Sequence, residues 1–492
     1  MSEGKYKKLL SNTAIYGLGT FASKILVFLL TRLYTECLSP NEYGIADLIT
    51  NAANLLIPLA AVGICDGIFR FTLDSNENSK KNVFSTGCTL MGISSIAFVI
   101  VMALALAFGI FKEHLWLVAV YVLMSNFHSA CALYVRALDK TKLYALQGIM
   151  NTVLTISFNV LFLVVLPESS FFNGVNGYVL SVVIADFIMG VFLLLYAKLY
   201  RDIRVKYFDT ALAKQMLKYS LPLVPTTIFW WITNVSDRFM VTYFCGEGAN
   251  GLYTAAYKIP TLLILITGVF SEAWQFSAVK ENDEKERSEF YTKVFGYFRA
   301  LIFVVGALVI AFSRIISSVL YAEEYYIAWS YIPVLVGSSI FSSFVTFFSS
   351  VYVVRKKSIK SFLSAMVGAL INIALNFVLI PEQLSLFGFD LKLAGLGAQG
   401  AAIATLVSYF AVFVIRALDS RRLIRFDIGV LRLSVNVFIL SAQALIMLFV
   451  SDTLFLVIGQ VICVLAVASV NARPFVEAAK VIIGRFARKK TK

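Results

Sequence analysis

The chain has 492 residues, of which 59% are hydrophobic and 15% are charged, and its mean hydropathy is +0.81. This composition excludes a water-soluble globule with a solvated surface, because about 25% of the residues of a typical soluble globular domain are charged. The net charge of +14 is typical of a membrane protein whose basic loops stay on the cytoplasmic side, so we expect membrane lipids and not nucleic acid as its surroundings.

Apolar stretches of about 20 residues recur along the whole chain, and each is long enough to cross about 30 Å of hydrocarbon as a helix. Hydropathy predicts six spans in the first half, at residues 11–33, 45–69, 83–108, 115–137, 144–166 and 175–197. It predicts eight in the second half, at residues 216–244, 252–277, 294–320, 327–353, 361–380, 395–415, 430–450 and 453–472. We therefore expect an all-α polytopic membrane protein with fourteen transmembrane helices.

The basic residues are distributed as the positive-inside rule requires for this number of spans. With the N-terminus in the cytoplasm, the inside segments hold 35 of the 43 Lys and Arg residues. The outside loops hold Lys112 and Lys392, and the remaining six lie within spans. Both termini are therefore predicted to be cytoplasmic.

An internal repeat divides the chain. Gly44 aligns with Gly251 at a shift of 207 residues, and Asn159 aligns with Asn376 at a shift of 217. Six spans per repeat is an even number, so the repeats are parallel and related by a pseudo-two-fold axis along the membrane normal, with the substrate cleft expected between them. The predicted segments are an N-terminal six-helix lobe (1–198), a cytoplasmic linker (199–215), a C-terminal six-helix lobe (216–418), a hairpin of helices 13 and 14 (419–472) and a basic cytoplasmic tail (473–492).

Basic side chains inside the predicted spans point to an anionic substrate, because a Lys or Arg at a helix centre costs about 2.5–3.5 kcal/mol and needs a partner or ligand. The six are Lys24, Arg32, Arg238, Lys258, Arg299 and Arg314. Arg299 and Arg314 lie nearer span ends and are expected to snorkel to the headgroups. Arg32, Arg238 and Lys258 are predicted at one depth, and Lys24 about 12 Å closer to the cytoplasm.

Acidic residues offer a competing explanation, in which the buried charges neutralise one another. Asp47 is predicted at the depth of Arg32, and Asp237 adjoins Arg238. Lys24 and Lys258 have no obvious acid nearby in the sequence, so substrate contact is the favoured role for them.

Other polar residues within the predicted spans have a simpler interpretation. Asparagines and Thr405 are expected to join helices through hydrogen bonds. The six cysteines and the two histidines, His114 and His128, are far apart and are interpreted as packing residues, with no metal site. Nothing resembles a nucleotide loop or a nucleophile with its base, so the protein is not expected to be an enzyme.

Several segments resemble the bacterial polysaccharide and O-antigen flippases. They are NTAIYGLGTFASKILVFLLTRLYTECLSPNEYG from residue 12, SDRFMVTYF from residue 236, GLYTAAYKIP from residue 251 and SEAWQFSAVKE from residue 271. That family shares its superfamily with multidrug-extrusion transporters and lipid II flippases. The resemblance implies transfer of an undecaprenyl-diphosphate-linked oligosaccharide across the cytoplasmic membrane, with polysaccharide polymerase and glycosyltransferases as partner enzymes.

The resemblance also implies roles for individual residues. Lys24 follows Ser23 as a first-span Arg follows a Ser in lipid II flippases, and Lys258 stands where their eighth span carries a base. Their second-span Arg has no counterpart, because Asn51 or Asn54 occupies that region.

Some lipid II flippases bind sodium between spans 7, 11 and 12. The matching positions here are Asp237, Asn372, Asn376 and Thr405. Na⁺ or H⁺ is therefore the expected coupling ion, with no other cofactor.

Two other functions stay open. A drug/cation antiporter of the multidrug-extrusion type would use Asp47 or Asp237 as its coupling group. A membrane polysaccharide polymerase or glycosyltransferase would need catalytic groups in a substantial external loop, whereas the predicted external loops are short.

Overall fold

The computed structural model describes residues 30–109, 113–166, 169–280, 284–355, 357–386 and 389–474. These residues are almost entirely helical, which confirms the prediction of an all-α membrane protein. Contacts divide the chain into two compact units, residues 1–236 and 237–492, and the boundary falls inside a helix. This division into two units does not test the predicted five segments, which stay a prediction.

The first unit begins with a helical segment over residues 30–37. Its helices are α1 Pro40–Ala60, α2 Ile64–Asp74, α3 Glu77–Ala107, α4 Leu115–Ala137, α5 Thr141–Val160, α6 Gly174–Tyr196 and α7 Thr210–Ser220. Helix α8, Leu223–Cys245, crosses the boundary between the units.

The second unit continues from Asp237. Its helices are α9 Glu247–Lys258, α10 Thr261–Lys280, α11 Glu284–Ala311, α12 Ser313–Leu320, α13 Ile332–Val354, α14 Ser358–Leu379, α15 Gly397–Leu423, α16 Val430–Phe449 and α17 Thr453–Val470. Between α14 and α15, β1 (Gln383–Leu386) pairs antiparallel with β2 (Phe389–Lys392), with Gln383 opposite Lys392. This small hairpin is the departure from the all-α prediction, and it lies in a loop that hydropathy places outside the membrane.

In the described part of the chain, ten helices are long and apolar enough to cross a membrane, or eleven if one bent pair counts as a single span. The first predicted span lies largely outside the described residues. The prediction of fourteen spans is therefore neither confirmed nor contradicted.

The second predicted span, 45–69, is not one straight helix. Helices α1 and α2 meet at 52°. Val62 and Gly63 between them both have positive φ values of 51° and 65°, a conformation that ends an α-helix. Pro58 in the preceding turn of α1 also removes one backbone donor.

Each unit is built around a pair of packed helices. In the first unit α4 packs against α6, α5, α2 and α1, and its core includes Leu117, Val122 and Val179, all fully buried. In the second unit α13 packs against α15, and α16 forms a hairpin with α17 that packs on α11. Helices α4 and α13 are both 23 residues long and start 217 residues apart, which equals the larger shift of the sequence repeat.

A buried arginine connects three helices of the second unit. Arg416 was assigned to a cytoplasmic loop by hydropathy, yet it lies within α15 and is 1% exposed. Its guanidinium donates to the Val345 carbonyl on α13 at 3.0 Å, and to the Ser361 carbonyl and Ser364 hydroxyl on α14 at 3.0 and 2.9 Å. These hydrogen bonds satisfy the buried guanidinium of Arg416 and join α13, α14 and α15.

Candidate functional site

Of the two cations predicted on the first span, the structure describes Arg32. Lys24 lies outside the described residues. Arg32 pairs with Glu36 one helical turn later, with 2.6 Å between Nη2 and Oε1, and the two side chains are 43% and 51% exposed. Such an exposed i,i+4 pair contributes about 0.5 kcal/mol at most. Glu36 lies between the first two predicted spans, so one acid that contacts Arg32 lies outside those spans.

Asn51, Asn54 and Asp47 all lie on α1. The Asn51 side chain donates to the carbonyl oxygen of Asp47 at 2.8 Å, and the Asn51 carbonyl accepts from Nε1 of Trp231 at 2.7 Å. Asn54 is exposed, whereas Asp47 is buried. Asn54 is therefore the more accessible of the two predicted substrate contacts on this helix.

Four of the residues matched to the sodium site come together in the second unit. Asp237 on α8 is 5% exposed, and its Oδ2 accepts hydrogen bonds from the hydroxyls of Tyr253 at 2.7 Å and Thr405 at 3.3 Å. The Asn372 carboxamide donates to Thr405 at 3.3 Å, and the Asn376 carboxamide donates to Oδ1 of Asn372 at 3.0 Å. These contacts connect α8, α9, α14 and α15.

The donor set of this cluster fits a hard cation. It offers carboxylate, carboxamide and hydroxyl oxygens, which are the ligand types that such cations prefer. Asn376 is fully buried, and its Oδ1 has no hydrogen-bond partner among the described residues. Asp47 belongs to the first unit and takes no part in the hydrogen bonds described for this cluster.

Arg238 and Lys258 lie near this cluster in the sequence and are both half-buried. The Arg238 guanidinium donates to the Thr254 hydroxyl at 3.1 Å, and it lies 5.3 Å from the ring centroid of Tyr257, within the distance of a cation–π contact. Its backbone N–H, and not its side chain, makes the 3.0 Å hydrogen bond to Oδ1 of Asp237. Lys258 is the last residue of α9.

A second polar cluster, in the first unit, was missed from the sequence. Asp186 on α6 contacts Nδ1 of His128 on α4 at 3.0 Å, and it accepts a hydrogen bond from Asn151 on α5 at 3.0 Å. The Ser125 hydroxyl also donates to it, and Nε2 of His128 lies 2.7 Å from Gln147. The interpretation of His128 as isolated is therefore wrong. The sequence feature that could have indicated this cluster is Asp186, an acid on a predicted span with no other charged residue.

Arg299 and Arg314 both donate hydrogen bonds to backbone carbonyls of the second unit, and their expected snorkelling to the headgroups stays a prediction. Arg299 is 4% exposed and donates to the carbonyl oxygens of Ile428 and Gly429. Arg314 donates to the Met447 carbonyl at 2.8 Å. Its guanidinium lies 4.1 Å from the ring centroid of Trp329. Both arginines cap backbone acceptors inside the second unit.

The residues that the structure describes contain no group of three or more His, Cys, Asp or Glu side chains placed to hold a metal ion. Any cation at Asp237 would therefore be bound mainly by neutral oxygens, as the alkali and alkaline-earth cations can be.

The chain is similar to known proteins over most of its length. A family described as "Polysaccharide biosynthesis protein" matches residues 9–274. No curated protein sequence gives a match.

Among solved structures, the lipid II flippase MurJ in an inward closed conformation is 16% identical, with a TM-score of 0.66, and the match covers 95% of this chain and 99% of MurJ. An inward-facing multidrug resistance MATE transporter of the MOP superfamily is also 16% identical, with a TM-score of 0.62 and coverage of 81% and 95%. A MOP superfamily transporter from Pyrococcus furiosus, described as having a binding pocket of reverse polarity, is 15% identical, with a TM-score of 0.52 and coverage of 84% and 95%. At these identities the likeness establishes the fold.

Proposed function

Because the chain belongs to the polysaccharide biosynthesis protein family, whose profile matches residues 9–274, we propose that it carries a lipid-linked oligosaccharide from the inner to the outer leaflet of the bacterial cytoplasmic membrane. The carrier lipid is undecaprenyl diphosphate. The family match is the observation that carries this proposal. Glycosyltransferases would build the glycan before transfer and a polymerase would use it afterwards, so these enzymes are the expected partners.

The chemistry of the substrate explains why cations belong inside the protein. A diphosphate cannot cross hydrocarbon unaided, and charge-assisted hydrogen bonds from Lys and Arg suit its oxygens. Lys24, Arg32, Arg238 and Lys258 are the proposed contacts, with Asn51 and Asn54 as neutral donors. We expect alternating access, in which the glycan passes through a polar interior and the lipid tail stays in the membrane.

The test is surface polysaccharide in cells whose own copy of the gene is replaced by a variant. Lys24→Ala and Lys258→Ala should each lower surface glycan at least tenfold, because the diphosphate loses a charged hydrogen bond inside the membrane. The amount of protein in the membrane should not change. Lys392→Ala, at an exposed position of the β-hairpin, is the matched control and should display normal glycan.

Normal glycan in both the Lys24 and the Lys258 variant would overturn the proposed diphosphate contacts. Loss of glycan with accumulation of the lipid-linked oligosaccharide in the inner leaflet would support the transport step itself. Loss without that accumulation would instead indicate a defect before transfer.

We further propose that the Asp237 cluster binds the coupling cation. The support is the set of converging oxygens on Asp237, Asn372, Asn376 and Thr405, together with the buried Oδ1 of Asn376 that has no hydrogen-bond partner in the described structure. Removing the carboxylate charge would remove the main electrostatic attraction for a cation.

Thermal unfolding of the purified protein tests this site without a transport assay. Na⁺ should raise the unfolding temperature relative to choline at equal ionic strength, and Asp237→Asn should abolish the difference. Glu247→Gln, an exposed position, should keep it. A sodium effect that survives in Asp237→Asn would contradict the assignment, and a dependence on pH in place of sodium would assign H⁺ to the site.

The drug/cation antiporter remains the second candidate, because buried acids such as Asp47 and Asp237 suit a cationic substrate. Energised efflux of a cationic dye by cells that express the protein, lost in Asp237→Asn, would favour it. Glycan loss without dye efflux would favour the flippase.

A further inference from the structure

The second unit contains a cavity of about 600 Å³. It is lined by α11, by the loop between α15 and α16 with the first turn of α16, and by the residues that follow α17. Four of its described lining residues are basic and one, Asp427, is acidic. The four are Lys293, Arg299, Arg432 and Arg473. This excess of positive charge is what an anion would need.

Hydrogen bonds from α11 hold the loop that forms one wall of the cavity. The Thr292 hydroxyl accepts from the backbone N–H of Asp427 at 3.0 Å, and Nη1 of Arg299 donates to the carbonyls of Ile428 and Gly429. Gly429 has a φ of +61°, and a Cβ at this position would lie 2.2 Å from Nη1 of Arg299. Tertiary contacts between α11 and this loop therefore form the wall of the cavity.

The charges of the cavity are not balanced by its own acid. One oxygen of Asp427 already accepts the backbone N–H of Gly429 at 2.8 Å. Arg299 is 4% exposed, and its Nε has no hydrogen-bond partner within the described part of the chain. Arg299 interacts electrostatically with both Arg432, which repels it, and Asp427, which attracts it, so the one acid offsets part of the charge of the four bases. Burying a guanidinium with an N–H donor that has no acceptor costs free energy, and a bound acceptor would remove that cost.

The surroundings of the cavity favour a membrane lipid over a soluble anion. The cavity lies beside residues 292–299 of α11 and the first turn of α16, and both helices are long and apolar enough to cross a membrane. Val430 and Leu431 line it beside the cations and are 52% and 78% exposed, so exposed apolar side chains adjoin the basic ones. Lys293, Asp427 and Arg473 lie in the segments between or after predicted spans that the charge pattern predicts on the cytoplasmic side, where anionic headgroups are concentrated.

We propose that this basic cavity binds the phosphate of an anionic phospholipid from the cytoplasmic leaflet. Arg432 and Lys293 contact the headgroup, Arg299 supplies the floor, and Val430 and Leu431 contact the start of the acyl chains. The proposal does not depend on the identity of the transported substrate.

The experiment measures lipid binding to the purified full-length protein in a neutral detergent, by thermal unfolding and by native mass spectrometry. Phosphatidylglycerol or cardiolipin should stabilise the protein, whereas phosphatidylcholine should not. In K293A/R432A the apparent affinity for the anionic lipid should fall by about 25-fold, since each basic residue near an anionic headgroup contributes roughly a factor of five. R432A alone should cause about a fivefold loss.

R421A/R422A is the matched control, because it removes two exposed arginines of the same unit that do not line the cavity. It should bind lipid as the parent protein does. Equal loss in both double variants would overturn the proposal by showing a general surface-charge effect, as would anionic lipid binding that is unchanged in K293A/R432A. Equal stabilisation by inorganic phosphate or pyrophosphate alone would assign the cavity to a soluble anion and overturn the choice of a lipid.

Discussion

At the scale of single residues, buried charged side chains are the positions where a replacement should have the largest effect. Arg416, Asp186 and Asp237 are all nearly or fully buried, and each is held by several hydrogen bonds from neighbouring helices. In a membrane, such residues must be satisfied internally because lipid offers no polar partner. Their replacement should therefore have larger effects than replacement of surface charges.

Arg416→Ala should lower the free energy of unfolding by about 3 kcal/mol, because the Val345 and Ser361 carbonyls and the Ser364 hydroxyl each lose a buried hydrogen bond to a charged donor. Arg416→Lys should recover part of this loss, since an ammonium cannot reproduce the planar fork of the guanidinium. Unfolding of the purified protein in detergent measures both. Arg421→Ala on the exposed side of the same helix should change stability by less than about 0.5 kcal/mol, and an equal effect there would contradict the assignment.

His128 and Asp186 should be energetically coupled. Removing one partner of a buried pair costs about 3–5 kcal/mol because the other stays buried alone. We expect His128→Ala and Asp186→Asn to be individually destabilising, and the double variant to be at least about 1 kcal/mol more stable than their sum predicts. A double-mutant cycle on unfolding provides the measurement, with His114→Ala as the histidine control. Strict additivity would show that the 3.0 Å contact contributes nothing.

At the scale of elements, close helix packing is decided at a few small residues. A Cβ on Gly400 of α15 would lie 2.5 Å from the carbonyl oxygen of Leu379 at the end of α14. That neighbour is backbone and cannot rotate away. Gly92 of α3, by contrast, has open space around its missing Cβ.

Gly400→Ala should therefore destabilise the second unit by about 1–3 kcal/mol through forced separation of α14 and α15. Gly92→Ala should have the opposite sign and stabilise the protein by up to about 1 kcal/mol, because alanine is the better helix former. Thermal unfolding of the two variants beside the parent protein tests the contrast. Two shifts of the same sign would refute the packing argument.

At the scale of the whole molecule, the orientation in the membrane follows from the basic loops. In a background without the six natural cysteines, Ser2→Cys and Lys490→Cys should resist an impermeant maleimide added from outside, because the positive-inside rule predicts that both termini are cytoplasmic. Lys392→Cys, in the β-hairpin predicted outside, should react. Labelling of either terminus in intact cells would contradict the predicted topology.

The candidate sites show what local pattern can and cannot predict. The sequence alone indicated a cation site at Asp237, Asn372, Asn376 and Thr405 through a family resemblance, and the structure connects these four by hydrogen bonds. His128 gave no such signal, because its partner Asp186 is 58 residues away and no short motif joins them. A partner at that distance is set by how α4, α5 and α6 pack.

Composition and hydropathy by themselves determined that this chain is an all-α membrane protein with cations inside its spans, because the transfer of apolar segments into lipid is a sum over neighbouring residues. The tertiary structure decided the bend after α1, the internal position of Arg416, the two polar clusters and the basic cavity. These depend on side-chain direction and on contacts between distant segments, and a hydropathy sum contains neither.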